Sequence, residues 1–249
     1  MLPRDELGEG DAVILLHAGV ADRSMWGDYL PPLAAAGHRV MALDLPGYGE
    51  APVADLDEPW ADVLETMDAL GIESAALVGN SFGAAIAQRV AVAAPARVTS
   101  LVLISGPAPG VEPSPELIAA WDAEDAALEA GDVDAAVRAV VEAWTLEDAP
   151  EELRERVAAM QRRAFELQDG ADPGPAEDPV GEDPVTLAGI DVPVLIVAGG
   201  LDMSDFLQAA QVLAGVLQRS RSVVLPGAGH LVPLEAPEAL TELLVEFLA

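Results

Sequence analysis

Cysteine and lysine are both absent from the 249-residue chain. Without cysteine there is no disulfide framework and no thiolate nucleophile. Without lysine, 12 arginines carry all the positive side-chain charge against 43 carboxylates, for a formal net charge of −31. That surplus repels phosphate backbones and anionic headgroups, so nucleic acid is not an expected partner. Two close pairs of arginines, Arg154/Arg156 and Arg162/Arg163, fall on one expected helix. The composition fits genomic coding bias or adaptation to salt. Long apolar runs are missing too: the longest uncharged stretch, residues 74–88, has 15 residues and includes Asn, Ser and Gln, too short and too polar to cross a bilayer. The opening Met1-Leu2-Pro3-Arg4-Asp5-Glu6 puts acids where a secretory leader needs a basic flank and an apolar run. A cytoplasmic protein without a membrane partner is expected.

The chain is 51% apolar, enough to bury a core and far from the composition of disordered segments. Short β-rich apolar runs at 12–16, 39–43, 75–78, 98–104, 194–198 and 222–225 alternate with segments of helical period at 26–36, 58–70, 81–93, 206–217 and 237–248. That alternation predicts an α/β fold, a mostly parallel sheet of about six strands covered by helices on both faces. It stops between the fourth and fifth runs. Residues 107–187 read as helices only, at 114–129, 132–146 and 150–167, with Gly131 and Pro150 as punctuation. The expectation is a core of residues 1–106 and 188–249 carrying a helical cap insertion of residues 107–187. Within that insertion residues 169–184, rich in Pro, Gly and acids, read as a mobile loop.

Gly79-Asn80-Ser81-Phe82-Gly83 matches G-x-S-x-G, and it falls between a strand run and a helical segment, as that motif requires. Such a turn holds the serine in a strained conformation with its hydroxyl turned away from the sheet, and glycine on either side avoids a strand–helix collision. A serine hydroxyl needs a base, and His17, His38 and His230 are the only imidazoles. His230 lies in a glycine-rich loop after the last strand run, at the carboxyl edge where sites gather in such sheets. His17 is read as bracing a turn and His38 as structural. Asp202, directly after the fifth run and 28 residues before His230, is the expected acceptor for the other imidazole nitrogen. Asp205 competes with it, but Ser204 or Asp205 is the better cap for the helix that follows. The oxyanion donors expected by position are the N–H groups of Phe82 and Gly19, with Val20 as the alternative to Gly19.

Four motifs together resemble the α/β-hydrolase superfamily, in its small esterase, enol-lactonase and haloperoxidase-like branch. They are His17-Ala18-Gly19-Val20 followed by Trp26, Asp44-Leu45-Pro46-Gly47-Tyr48-Gly49, the Gly79 to Gly83 pentapeptide, and Gly227 to Val232 followed by Glu235-Ala236-Pro237-Glu238. The resemblance implies a nucleophile Ser81, a base His230, an acid Asp202 and a lid over an acyl or alcohol pocket. Two departures stand out: the first ten residues do not read as the usual opening hairpin, and Ala18 replaces a customary glycine.

The reading is a serine hydrolase acting on a small carboxylic ester or lactone, without metal or organic cofactor, as monomer or homodimer. Cofactor-free perhydrolysis of haloperoxidase type and a non-catalytic ligand receptor are the alternatives. Trp26, Trp121 and Trp144 are candidate substrate contacts, while Met160 and Phe165 read as packing. A modest apolar acyl group is expected rather than an anionic one; Arg23 is the one cation near the oxyanion loop, and only if it bound a substrate carboxylate would an enol-lactone or dicarboxylic ester be the better reading.

Overall fold

Strand β2 (Asp11–Leu16) shows how the sheet is built. Val13 and Leu15 point into one apolar layer with Val78 and Val102, while Ile14 and Leu16 point into the other with Met41 and Leu77. A strand buried on both faces reads as a continuous apolar run, which is why β2 was visible in the sequence. The computed structural model describes residues 1–54, 58–171, 174 and 178–249. Within them β2 is joined by β1 (Arg4–Leu7), β3 (His38–Leu43), β4 (Ala75–Asn80), β5 (Val98–Ile104), β6 (Val194–Gly199) and β7 (Ser220–Leu225), in the order β1-β3-β2-β4-β5-β6-β7. All neighbours are parallel except β1 and β3.

The expectation of about six strands and a non-strand amino terminus is corrected by β1, which pairs Arg4 with Leu43 through to Leu7 with Val40. A four-residue edge strand needs no apolar alternation, because its outer side is solvent. What marks it instead is charge: Glu6 receives Arg4 at 3.0 Å and Arg39, across the pair on β3, at 2.7 Å. The return from β1 to β2 then passes tightly against the start of β3. A Cβ on Gly8 would lie 2.2 Å from the His38 carbonyl, and one on Gly10 2.2 Å from that of Gly37, so both positions exclude side chains.

Helices α1 (Leu30–Ala35) and α8 (Pro237–Leu248) bury Leu33, Leu240 and Leu244 in the first layer. Helices α2 (Pro59–Ala69), α3 (Phe82–Ala93) and α7 (Ser204–Val216) bury Met67, Val90 and Leu213 in the second. The single helix expected at residues 26–36 is divided: a 3-10 segment, Arg23–Tyr29, precedes α1, whose first turn carries Pro31 and Pro32. Between β5 and β6 come α4 (Pro115–Glu129), α5 (Val133–Trp144) and α6 (Glu151–Gln168), close to the three segments expected there. Ser114 caps α4 by accepting from the Leu117 N–H at 3.2 Å, and Asp132 caps α5 by accepting from that of Ala135 at 2.9 Å. These helices have no core of their own. Val137, Val140, Trp144, Val157 and Phe165 belong to the same apolar layer as Val13 and Leu15, so the insertion is welded to one face of the sheet. Of the loop expected at residues 169–184, positions 172–173 and 175–177 lie outside the described residues. Beyond them Asp178 pairs with Arg89 of α3 at 2.6 Å.

The strand order runs outward in opposite directions from the β2–β4 pair. Chains leaving the carboxyl ends of those two strands therefore diverge to opposite faces of the sheet and leave a crevice between them. The loop after β2 begins at His17, and the residue after β4 is Ser81.

Candidate active site

The turn from β4 into α3 is a tightly constrained stretch of backbone. Ser81 has φ +53° and ψ −112°, left-handed territory that a side chain occupies only under constraint. The constraint comes from close packing around it. A Cβ on Gly79 would lie 2.3 Å from the Gly83 carbonyl carbon, and one on Gly83 2.2 Å from the Leu16 carbonyl oxygen, so strand and helix approach to a distance only glycine permits. The Ser81 N–H is spent on the Ile104 carbonyl at 2.8 Å, and its side chain caps nothing. Its hydroxyl is thus left to a cavity of about 350 Å³ lined by Gly19, Val20, Phe82, Trp121, Trp144 and His230 among others.

His230 is buried, and its Nδ1 lies 3.0 Å from Asp202 Oδ1 and 3.2 Å from Oδ2. An ionised carboxylate only accepts, so Nδ1 carries the proton and Nε2 keeps its lone pair. Asp202 also accepts the Met203 N–H at 2.8 Å, which fixes the carboxylate on the far side of the ring. Phe206 packs 4.2 Å and Trp144 4.6 Å from the imidazole centroid, clamping the ring between α7 and α5. Two more contacts hold the histidine loop: Asn80 donates to the His230 carbonyl at 3.2 Å, and Gly229 donates to Glu235 at 2.8 Å. Burial pushes the Glu235 carboxyl above its usual range, against the hydrogen bonds from Gly229 and Leu146.

Asp205 has a different task. It accepts from the Ser114 N–H at 2.6 Å and its hydroxyl at 2.8 Å, tying α7 to the start of α4. Burial would raise its pKa, but the Ser114 bonds outweigh that and hold it below the ordinary value.

The donors expected for an oxyanion also meet here. As the first residue of α3, Phe82 has a main-chain N–H with no helical acceptor. After β2 a turn closes from Ala21 N–H to Ala18 O at 3.0 Å, leaving the N–H groups of Gly19 and Val20 outside it. Gly19 and Phe82 are neighbours: a Cβ on Gly19 would be 3.5 Å from that of Phe82.

His17 braces this loop. It donates from Nδ1 to Ala18 O at 2.8 Å and accepts at Nε2 from the Leu45 N–H at 2.9 Å, which joins the loop after β2 to the loop after β3. Both nitrogens being engaged, the neutral ring is the one that fits. Its burial pushes the pKa down, although the Ala18 carbonyl and Asp44 pull the other way. The unfolded chain therefore takes up a proton near the ordinary value of ~6.5 when the native state does not, and stability rises with pH through that range. We expect the urea midpoint to fall as pH drops below about 6.5, and to fall less steeply in His17→Gln.

One expectation is corrected, and one conditional reading falls away. Trp26 is fully buried, packs edge-on against Tyr29 at 5.2 Å and does not line the cavity, so it is a core residue of the 3-10 segment. Arg23 is not available to a substrate carboxylate. Its backbone and guanidinium bind Asp44, and its side chain also reaches Glu50 at 2.7 Å and Asp5 at 3.3 Å. Burial disfavours its charge, yet those carboxylates more than compensate and raise its pKa. Gly49, at φ +56°, leaves room for the arrangement: a Cβ there would sit 2.3 Å from Asp44 Oδ2. Trp121 and Trp144 do line the cavity, while Met160 and Phe165 are buried in the apolar layer. Sequence reading missed Phe206, Glu124 and Gln161 as lining residues. The last left a signal, since Gln161 is a polar residue on the face of α6 that also buries Val157, Ala164 and Phe165.

A strand–serine–helix elbow at the crevice of a mostly parallel sheet, with a His–Asp pair on the loops after β7 and β6, defines the class of α/β hydrolases. A family model described as alpha/beta hydrolase family matches residues 13–243, and the chain belongs to that family. It is 35% identical over 251 residues to the dihydrolipoyllysine-residue acetyltransferase component of the acetoin cleaving system of Pseudomonas putida, covering 97% of this chain and 64% of that protein. It is 41% identical over 108 residues to the 2-hydroxy-6-oxo-6-phenylhexa-2,4-dienoate hydrolase of Comamonas testosteroni, covering 40% of this chain and 38% of that one. These matches span less than two thirds of either curated relative. Among solved structures a thermophilic esterase from Thermogutta terrifontis superposes with a TM-score of 0.79 at 25% identity, over 99% of this chain and 92% of the other.

Proposed function

We propose that the chain is a serine hydrolase that cleaves a small carboxylic ester or lactone through an acyl-enzyme. The observation that carries the reading is the shared cavity of Ser81 and His230, with the far nitrogen of that imidazole held by buried Asp202. In the first half-reaction Ser81 Oγ attacks the carbonyl carbon and its proton passes to His230 Nε2. The alcohol leaves with that proton. In the second, water gives its proton to Nε2, attacks the acyl carbon and releases the acid, and Ser81 regains its hydrogen. The developing oxyanion is met by the Phe82 N–H and by that of Gly19 or Val20. Main-chain donors at the head of α3 are fixed before substrate arrives, which lowers the barrier without reorganisation.

Residues 107–187 act in this reading as a cap on a core of residues 1–106 and 188–249. Trp121, Trp144 and Gln161 reach the cavity from α4, α5 and α6, so the cap sets the shape of the acyl or alcohol pocket. Hydrolase and esterase names among the relatives support the reaction class. Among the described residues no helix is long and apolar enough to cross a membrane.

The test is stoichiometry at one serine. A fluorophosphonate should add one equivalent per chain, at Ser81, and hydrolysis of p-nitrophenyl butanoate should stop in proportion to labelling. Turnover that survives full labelling, or an enzyme that neither labels nor turns over, would remove the proposal.

A further inference from the structure

The cavity is apolar except at a few places, and two of these lie away from Ser81 and His230: Glu124 on α4 and Gln161 on α6. Glu124 is the only carboxylate among the described lining residues, and no arginine joins it there. It is one helical turn from Trp121, so both face the cavity from the same side of α4. Gln161 is 4% exposed, and its Oε1 has no hydrogen-bond partner among the described residues. That oxygen is closed off as the side chain stands, but a buried carbonyl left unpaired costs free energy, and a turn of the amide about its last bond would bring it to a donor arriving with a ligand. Both groups offer the same chemistry, acceptor oxygen, and one of them adds negative charge. Arg23, the cation that would have reversed this polarity, is engaged by Asp44, Glu50 and Asp5 outside the cavity. Burial and the nearby Asp125 carboxylate push the Glu124 pKa upward, as expected for a carboxylate turned towards apolar walls.

We infer that Glu124 and Gln161 form a specificity subsite selecting esters or lactones whose acyl or alcohol part carries a hydrogen-bond donor, an ammonium above all, and rejecting those that carry a carboxylate. The inference rests on the serine hydrolase reading, because it concerns what that same cavity accepts. Its chemistry is a difference between substrates of one length. An ammonium at the far end of the acyl chain meets Glu124 and a carbonyl acceptor among mostly apolar walls; a carboxylate at that position meets a like charge with no compensating cation.

The experiment compares p-nitrophenyl hexanoate, p-nitrophenyl 6-aminohexanoate and the p-nitrophenyl monoester of adipic acid at pH 8, in wild type, Glu124→Gln and Gln161→Met. In wild type kcat/KM should fall in the order amino, neutral, carboxylate, with about tenfold or more between the ends. Glu124→Gln should shrink the amino-over-carboxylate ratio at least about fivefold, and Gln161→Met should raise KM for the amino ester more than for the neutral one. Glu124 is partly exposed on α4, so its variant folds and reports on its own if Gln161→Met does not. Wild type with equal kcat/KM for the amino and carboxylate esters, or an unchanged ratio in Glu124→Gln, overturns the subsite while the hydrolase reading stands. Failure of wild type to cleave any of the three overturns both.

Discussion

Removing the hydroxyl of Ser81 should lower kcat/KM for p-nitrophenyl butanoate by about 10⁴ to 10⁶, while circular dichroism and the unfolding midpoint of Ser81→Ala stay close to wild type. The structure gives a reason to expect intact folding. The Ser81 side chain caps no helix and enters no hydrogen bond that holds the elbow together, since the contact to Ile104 is made by its backbone. A second substitution sharpens the test. At φ +53° and ψ −112° any residue with a Cβ is strained by about 1–3 kcal/mol, a strain that glycine escapes at an unfolded-state cost of about 0.5–1 kcal/mol. Ser81→Gly should therefore be as inactive as Ser81→Ala yet more stable than either, by roughly 2–4 °C in Tm for each kcal/mol relieved. A wild type less stable than its inactive glycine variant would mean that the chain keeps strain at the position where its nucleophile is needed. Residual activity in Ser81→Ala within tenfold of wild type would remove Ser81 from the reaction.

The parts of the molecule legible in the sequence are those where local steric demand and global topology coincide. The pentapeptide around Ser81 is legible because Gly79 and Gly83 have no alternative at 2.2–2.3 Å from backbone atoms, and because strand and helix periodicities meet there. The three inserted helices are legible because apolar runs of strand length stop after β5 and capping residues begin. Strand β1 is not, since a short exposed edge carries its specificity in Glu6 and two arginines rather than in alternation. The roles of the tryptophans were also hidden. Trp26 and Trp144 both sit on apolar faces, and only the packing of Trp26 against Tyr29 within the 3-10 segment and of Trp144 against His230 separates a core residue from a cavity wall. Arg23 was legible as a lone cation but not as a consumed one, because its partners Asp44 and Glu50 lie more than twenty residues on, in a loop whose shape depends on Gly49.

Exchanging Asp202 for Asn should cost about 10⁴ in kcat, with little change in KM, whereas Asp205→Asn should leave kcat near wild type. The two carboxylates are three residues apart, and the sequence offered either as partner for His230. Geometry separates them. Asp202 Oδ1 receives the Met203 N–H, and His230 Nδ1 lies between both carboxylate oxygens, at 3.0 and 3.2 Å, so an asparagine that keeps its oxygen on Met203 puts its NH₂ in place of Oδ2, against the imidazole nitrogen. A donor facing Nδ1 forces the ring proton onto Nε2, the atom that must accept from Ser81, and the base is lost although every heavy atom stays in place. Asp205 accepts from Ser114 instead, and its loss loosens the join between α7 and α4 by about 1–2 kcal/mol. Because α4 carries Trp121 and Glu124 into the cavity, the consequence of Asp205→Asn should appear as a raised KM and a lower unfolding midpoint. The split between kcat in one variant and KM in the other is the decisive result. Equal losses of kcat in both would mean that the two aspartates act as one network, and a loss confined to Asp205→Asn would transfer the acid's role to it.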